Sequence, residues 1–329
     1  MSELNTPSIA SAIDSYLENI QLARSENTAH TYRYAIECFI QSLTQHNLPI
    51  NSTSLIELPE ESIGWFATDL KQKSPATEML YLTAISGFFE FLVAERLAEI
   101  NLPHIRMLIR QRGRRAGQRL PQFPRDNIVE ILKYAINLAS QTVASNDEHL
   151  RNMRDRAFLI TLADTGLRVH EACGLRRGDI DWNEARAIII GKGNRQAVVR
   201  FSQRTLKALK EYLFTRASLD GASGRPLASL PLFARHDTGA GKKIKAITTT
   251  TGRNIVNQRV AEALGKDAVG SITPHSFRHY FVTTVLQSSG NLKLAQELAR
   301  HRSITVTQRY AHLSDDELDQ GYWEIFEDN

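Results

Sequence analysis

Apolar residues recur at helical spacing through the first hundred residues, and no stretch there alternates as a strand would. The first apolar stripe lies in residues 8–24. Three more helical segments follow, at residues 28–47, 59–73 and 76–97. Consecutive helices without strands predict a helical N-terminal domain of four helices, residues 1–102.

The second half of the chain is also mainly helical, but its hydrophobic period changes once. The β-rich runs ARAIII and QAVVRF flank GKGNR, where Gly191, Gly193 and Asn194 can adopt the positive φ values of a hairpin turn. Gly166 is placed to end a preceding helix as a left-handed residue. We therefore expect a mixed α+β domain over residues 126–313. The predicted fold class is mainly α with a small antiparallel β-sheet.

Residues 103–125 differ from both domains in composition. They contain seven arginines, three prolines and two glycines but no acidic residue. We interpret this segment as a basic linker whose charge suits a chain lying across a phosphate backbone. A flexible solvated connector is the alternative.

Positive charge is concentrated in the linker and the C-terminal domain, although the net charge of the whole chain is only +4. Lys and Arg minus Asp and Glu give −8 for residues 1–102, +7 for 103–125, +12 for 126–313 and −7 for 314–329. This distribution favours a polyanionic partner, and an ordinary solvated surface is the alternative.

The sequence favours the cytoplasm and no membrane partner. No apolar run reaches the ~18 residues needed to span a bilayer, and the N-terminus lacks the layout of a signal peptide. Cys38 and Cys173 lie far apart in apolar helical surroundings, so we favour a reducing compartment over one disulfide. No histidine or cysteine cluster has the spacing of a zinc site.

Residues 273–313 contain side chains from which phosphate chemistry can be built. His275, Arg278, His301 and Tyr310 fall there, on three short predicted helices. A tyrosine that attacks a phosphodiester needs a base or strong positive potential, because its phenol has a pKa of ~10. The transition state gathers negative charge that arginine forks can satisfy, and the leaving 5′ oxygen needs a proton.

Two upstream residues can complete such a site. Arg168 follows a helix end, and Lys192 sits at the tip of the Gly-rich hairpin, from which a long ammonium side chain can reach into a groove. Each candidate also has a plain structural interpretation. A hairpin lysine is usually solvated, His275 can cap its helix, His301 can be a surface residue and Tyr310 can lie in the core.

Four motifs, in order, resemble those of the tyrosine recombinase family, which includes phage integrases and Xer-like proteins. TGLRVHEACGLRRGDID is similar to the family's first arginine box, and GKGNR to its lysine hairpin. HSFRHYFVTTVL resembles its His-x-x-Arg box, and LARHRSITVTQRYAHL its segment from the second histidine to the nucleophilic tyrosine. The resemblance covers nearly the whole chain. It implies a SAM-like core-binding domain and a catalytic domain that form a C-shaped clamp on DNA.

Carried onto this sequence, the resemblance implies that Arg168 and Arg278 grip the scissile phosphate while Tyr310 forms a 3′-phosphotyrosyl bond. Lys192 would protonate the departing 5′ oxygen. The energy of the broken phosphodiester stays in the protein–DNA ester, so no ATP, metal or other cofactor is expected.

The resemblance implies assisting roles for the remaining candidate residues of the motifs. His275 would help proton transfer at Tyr310, and His301 would hydrogen-bond the phosphate. Glu171 stands where the family often has an acid after the first arginine, and we expect it to orient its neighbours rather than to transfer protons.

The implied activity is site-specific recombination, with integration, excision or resolution as outcomes. The implied partners are double-stranded DNA with inverted-repeat half-sites and three further protomers, which make a tetramer on two sites. Accessory proteins or a partner recombinase are further candidates, and the expected location is a prokaryotic, nucleoid-associated cytoplasm. Residues 314–329 combine seven acids with Tyr322, Trp323, Ile325 and Phe326 and would dock on a neighbouring protomer or on their own domain.

Two departures from the family pattern bear on the biological context. Ala299-Arg300-His301 replaces the usual Leu-Gly-His, so that Arg300 and Arg302 add charge near the phosphate or contact flanking DNA. The hairpin sequence is also less charged after Asn194 than is common in Xer proteins. Both favour an enzyme of a mobile element, phage or plasmid over a housekeeping Xer protein.

Three other functions remain open. A type IB topoisomerase shares the chemistry and would relax supercoils without site preference. A non-enzymatic DNA-binding regulator is suggested by a superficial helix-turn-helix pattern in NLKLAQELARHRSITVTQRYAH, although a regulator has no use for the catalytic residue types. A metal-dependent phosphodiesterase is weakest, because carboxylate pairs are missing.

Overall fold

The computed structural model describes residues 7–114, 125–191, 195–237, 244–301 and 303–308. The chain divides into two units, Met1–Arg119 and Leu120–Asn329, and each has its own apolar core. The described residues are mostly helical and include a three-stranded antiparallel sheet in the second unit. The predicted fold class is confirmed. The C-shaped clamp stays a prediction.

The described part of the first unit contains five α-helices, and the sequence supplies caps for three of them. The side chains of Ser8, Ser74 and Asn101 each accept a hydrogen bond from a backbone N–H three residues later. The helices are α1 (Ile9–Ala23), α2 (Glu26–Gln45), α3 (Ser62–Asp69), α4 (Pro75–Ala94) and α5 (Leu102–Arg112).

Helix α4 is the centre of the first core. It packs against α1, α2, α3 and α5. Its buried apolar side chains include Leu82, Ile85, Phe88, Phe89 and Leu92. By length and composition α4 is also the one helix in the described residues that could cross a bilayer. Its position among four other helices is that of a core helix.

Helix α5 occupies the first half of residues 103–125, where the sequence analysis predicts a linker. It begins at the Asn101 cap and buries Ile105 and Leu108 in the first core. Leu102 and Ile109 pack against the same core, so the helix has a regular apolar face that the basic composition of the segment obscures. The second half of the predicted linker, residues 115–124, lies outside the described residues.

The second unit is built from nine described α-helices and one small sheet. The helices are α6 (Arg125–Asn137), α7 (Asn146–Thr165), α8 (Val169–Gly174), α9 (Gln203–Thr215), α10 (Ala217–Gly221), α11 (Thr249–Leu264), α12 (Pro274–Ser289), α13 (Leu292–Ala299) and α14 (Ile304–Gln308). The strands, in sheet order, are β1 (Ile180–Asp181), β2 (Arg186–Gly191) and β3 (Arg195–Arg200).

The predicted hairpin is confirmed as the pair β2 and β3. The two strands run antiparallel from the pair Arg186 and Arg200 to the pair Gly191 and Arg195. Residues 192–194 of its turn lie outside the described residues. Strand β1 adds only two residues to the sheet, too few to produce a pattern in the sequence.

Helix α7 is the centre of the second unit. It packs against α6, α8, α9 and α12, and most of its length is buried, including several charged residues. Asp155 compensates two of the buried cations. Its Oδ1 accepts a hydrogen bond from Nε of Arg154 at 2.8 Å, and its Oδ2 accepts one from Nη2 of Arg259 at 2.7 Å. This network ties α7 to α11.

We expect Asp155→Ala to lower the free energy of unfolding by about 3–5 kcal/mol, because it removes the buried carboxylate that pairs with Arg154 and Arg259 and leaves Arg259 with only the carboxylate of the partly exposed Glu262. Chemical denaturation measures the loss. Glu297→Ala is the matched control, since it breaks an ion pair with Lys293 in which both side chains are 66% exposed. The control should cost about 0–1 kcal/mol. Equal losses in the two variants would contradict the role assigned to Asp155.

Candidate active site

The site begins at the turn between α7 and α8. Helix α7 ends at Gly166, whose φ of +58° is left-handed as predicted. A Cβ on Gly166 would also lie 2.5 Å from the ring of Phe281 on α12, so glycine is required there for space as well as for φ. The chain then reaches Arg168, the N-cap of α8, directly beside this close contact between helices.

Glu171 holds Arg168 at the start of α8. Its Oε2 accepts the backbone N–H of Arg168 at 2.8 Å, and its Oε1 accepts Nη1 of the same residue at 3.0 Å. The glutamate side chain is 3% exposed, whereas that of Arg168 is 43% exposed. Burial alone would raise the pKa of Glu171, but the backbone N–H of Arg168 and the guanidinium groups of Arg300 and Arg168 lower it below its ordinary value. Glu171 is therefore a carboxylate at neutral pH, in keeping with an orienting role.

Arg278 on α12 joins two distant turns of the chain. Its side chain is buried, its Nη1 donates to the carbonyl oxygen of Gly166 at 2.6 Å, and its Nη2 donates to the carbonyl oxygen of Ala299. The first carbonyl ends α7 and the second ends α13. Arg278 thereby brings the turn that carries Arg168 next to the turn that carries His301.

The histidines of this region are held in their neutral form. Desolvation, followed by the positive charges of Arg278 and Arg168, lowers the pKa of His275 although its surface is partly accessible. Burial and the same two arginines lower the pKa of His301 to about 4. His279 contacts His275 edge to face, with 4.3 Å between ring centroids. At neutral pH these imidazoles can accept a proton, which an imidazolium cannot do.

His301 is fixed by the turn between α13 and α14. Its Nδ1 lies 2.9 Å from the hydroxyl of Thr307, a fully buried residue of α14. Its backbone N–H donates to the carbonyl oxygen of Gln296, whose side-chain amide donates back to the carbonyl oxygen of His301. These contacts fix the orientation of the ring. Nε2 lies on the side of the ring opposite the Thr307 contact.

Arg300 has an unusual backbone conformation and a side chain that points into the protein. It ends α13 with a φ of +58°, a left-handed conformation rare for residues other than glycine. Its side chain is 10% exposed and turns inward, with Nη2 at 3.2 Å from the carbonyl oxygen of Gly166 and 3.3 Å from Oε2 of Glu171. Arg300 thus adds charge near the site, and this inward orientation argues against a contact with flanking DNA. Arg302 lies outside the described residues.

The structure brings together four of the six predicted site residues. Arg168, His275, Arg278 and His301 meet where the C-terminal ends of α7 and α13 approach each other. Lys192 and Tyr310 lie outside the described residues, so their place in the site stays a prediction. In the described part of the chain, no three His, Cys, Asp or Glu side chains converge as a metal site would need.

We expect the ring of His301 to titrate with a midpoint near pH 4 in the free protein, against 6.5 for an ordinary histidine. Between these two pH values the unfolded chain binds the proton more readily, so the contribution of His301 to stability is lost as the pH falls from 6.5 toward 4. NMR titration of the imidazole protons measures the midpoint, and His301→Gln assigns the resonance. A midpoint near 6.5 would contradict the burial of this ring among cations.

Profiles of known protein families match both units of the chain. The profile of the phage integrase family matches residues 123–317, and that of the phage integrase N-terminal SAM-like domain matches residues 13–96. Tyrosine recombinase XerC of Pediococcus pentosaceus is 28% identical over 305 residues, covering 92% of each chain. Tyrosine recombinase XerD of Mycobacterium tuberculosis is 28% identical over 313 residues, covering 92% of this chain and 93% of the relative.

Solved structures share the fold. The Tn1549 transposon integrase, in complex with transposon right end DNA, has a TM-score of 0.65 at 17% identity, covering 97% of this chain and 99% of that one. The XerH site-specific recombinase bound to a palindromic difH substrate has a TM-score of 0.65 at 19% identity, covering 97% and 90%. Since the integrase profile spans more than half of the sequence, the chain belongs to the phage integrase family of tyrosine recombinases.

Proposed function

We propose that this tyrosine recombinase cleaves and rejoins DNA at specific sites through a 3′-phosphotyrosyl intermediate. The observation that carries the proposal is the meeting of Arg168, Arg278, His275 and His301 at one place, where Arg278 joins two helix ends through their backbone carbonyl oxygens. Arg168 lies more than a hundred residues before the other three in the sequence. Their convergence provides the positive potential and the proton acceptors that attack on a phosphodiester needs.

The two arginines suit the scissile phosphate in different ways. Arg168 is 43% exposed and can extend its guanidinium group toward DNA. Arg278 is buried and anchored, so it offers a fixed charge behind the phosphate. Planar guanidinium groups match the non-bridging oxygens of a phosphate, where charge accumulates in the transition state. Together the pair would bind the transition state more tightly than the ground state.

Proton transfer completes the reaction. Neutral His275 takes the phenolic proton as the oxygen of Tyr310 attacks phosphorus, and Lys192 gives a proton to the 5′ oxygen as its bond to phosphorus breaks. His301 donates a hydrogen bond to the phosphate. A 5′-hydroxyl from the partner strand then attacks phosphorus and gives its proton to Lys192, while the bond from phosphorus to Tyr310 breaks and the tyrosyl oxygen takes back the proton held by His275. Bond energy is conserved in the ester, so the cycle needs no ATP or metal.

The substrate in this proposal is double-stranded DNA with inverted-repeat half-sites, and four protomers act on two sites in the cytoplasm. The DNA complexes of the Tn1549 integrase and of XerH support duplex DNA as the partner. The mobile-element context favoured by Arg300 stays a prediction, since curated relatives carry the names XerC and XerD. Accessory proteins, a partner recombinase and the docking of residues 314–329 also stay predictions.

We expect a covalent protein–DNA complex on nicked duplexes with randomised half-sites, where the short 5′-hydroxyl fragment diffuses away and prevents religation. A denaturing gel detects the complex, and sequencing of the trapped DNA identifies the site. Tyr310→Phe should abolish trapping, because it removes the attacking oxygen. Trapping should persist in EDTA.

Tyr134→Phe is the matched control, since in the described contacts the Tyr134 hydroxyl makes one exposed hydrogen bond, to Oε2 of Glu262, and should be dispensable. Trapping that survives Tyr310→Phe would contradict the assigned nucleophile. A strict Mg²⁺ requirement would contradict the metal-free route. Relaxation of supercoiled DNA without site preference would favour a type IB topoisomerase instead.

We expect Lys192→Ala to slow cleavage of ordinary DNA by roughly 10²–10⁴-fold, the range of general acid catalysis. DNA with sulfur in place of the 5′ bridging oxygen should be slowed far less, because a thiolate leaves without being protonated. Single-turnover cleavage rates on both substrates measure the difference. Arg168→Ala should slow both substrates alike. Equal slowing by Lys192→Ala would remove this lysine from the proton-donor role.

A further inference from the structure

Arg300 occupies a backbone position that is costly for an arginine. Its φ of +58° and ψ of 41° are left-handed, and among the described residues only Asn47, Arg96 and Ala185 share a positive φ without being glycine. The side chain is also withdrawn from solvent, so it does not gain the hydration that an exposed arginine would have. Because two unfavourable features occur at one residue, we infer that its inward contacts contribute to the function of the site.

Those contacts converge on Glu171, the carboxylate that also holds Arg168. Oε1 of Glu171 accepts Nη1 of Arg168 at 3.0 Å, and Oε2 lies 3.3 Å from Nη2 of Arg300. One buried carboxylate is therefore shared by two guanidinium groups. Nη1 of Arg300 also reaches the carbonyl oxygen of Thr165 at 3.4 Å, so the same side chain spans from the end of α13 to the end of α7.

This arrangement resolves a conflict within the proposed reaction. Arg168 must turn toward the scissile phosphate, yet its ion pair with Glu171 holds it back. If Arg168 were the sole partner of Glu171, its departure would leave a buried carboxylate uncompensated, which is costly. A second cation that stays behind removes that cost.

We propose that Arg300 is a positioning residue that takes over Glu171 when Arg168 engages the phosphate. Arg300 is suited to this exchange because its contacts are long, from 3.2 to 3.5 Å, and leave room to tighten. Its buried Nε also has no hydrogen-bond partner in the described part of the chain. A small shift toward Glu171 would satisfy that donor. The proposal rests on the function proposed above, and it names the residue that replaces Arg168 as the partner of Glu171 in the same site.

A direct contact between Arg300 and DNA is the competing account, and the two differ in what they predict. If Arg300 contacts a phosphate, its substitution should slow cleavage equally with Glu171 and with Gln at that position. The substitution should also lower the salt dependence of DNA binding by about one charge. If Arg300 acts through Glu171, its substitution should slow cleavage only when the carboxylate is present and should leave the salt dependence unchanged.

The test is a double-mutant cycle with Arg300→Gly and Glu171→Gln, read as single-turnover covalent-complex formation at saturating protein on the trapped site. Glycine adopts the left-handed backbone freely, so Arg300→Gly removes the side chain without new strain. Arg300→Gly alone should slow cleavage roughly tenfold or more, as expected for the loss of a hydrogen bond between charged groups. In the Glu171→Gln background, the same change should add little further slowing, because the neutral amide needs no cation.

Arg96→Gly is the matched control, since Arg96 is an exposed arginine in the first unit with nearly the same φ of +57°. It should leave the cleavage rate unchanged. If Arg300→Gly lowers the thermal midpoint more than Arg96→Gly does, Arg300→Lys replaces it in the double-mutant cycle. Arg300→Lys should slow cleavage less than Arg300→Gly, and this slowing should again disappear in the Glu171→Gln background.

Equal slowing by the Arg300 variant in both backgrounds would overturn the proposal, as would no slowing in either. A reduced salt dependence would assign Arg300 to DNA instead. A wild-type protein that forms no covalent complex would overturn the proposed function itself, an outcome distinct from these.

Discussion

The contact on which the candidate site depends is the pair of hydrogen bonds from Arg278 to the carbonyl oxygens of Gly166 and Ala299. Both acceptors lie at helix C-termini, where unsatisfied carbonyls carry partial negative charge. Two helix ends aimed at one guanidinium group compensate a buried cation without neutralising it by a carboxylate. The charge thus remains available to an anion, while the same bonds bring the turn after α7 against the turn after α13.

Burial, followed by the charge balance of this region, explains why the histidines are neutral. Arg168 and Arg300 share one carboxylate, Glu171, while Arg278 donates to backbone carbonyl oxygens, so these contacts leave the site with excess positive charge before any ligand arrives. Burial adds to this repulsion and lowers the pKa of His301 to about 4. The excess charge is the feature that fits a phosphate, and the neutral rings are the feature that fits proton transfer.

The parts of this structure that could be predicted are those where one residue type decides the local geometry. Gly166 was predictable because only glycine readily ends a helix in the left-handed region, and the hairpin because its β-rich strands flank a Gly-Asn turn. Helix α5 was not predicted because its apolar face, at Leu102, Ile105, Leu108 and Ile109, lies in a segment whose arginines, prolines and glycines indicate a linker by composition. The inward side chain of Arg300 could not be predicted, since its direction depends on Glu171, a residue 129 positions away. An arginine in the place of a usual glycine was the only signal.

Anion binding should change the chemistry of the site as well as occupy it. A phosphate beside Arg168 and Arg278 offsets the repulsion that lowers the pKa of His275 and His301, so both pKa values rise when DNA is bound. In the proposed reaction, the rings then become better proton acceptors when the phenolic proton of Tyr310 is removed. By linkage, the same coupling means that protonation of these rings strengthens phosphate binding. Clustering cations is costly in the free protein, and in the proposed reaction the scissile phosphate offsets that cost, which ties proton transfer to substrate binding.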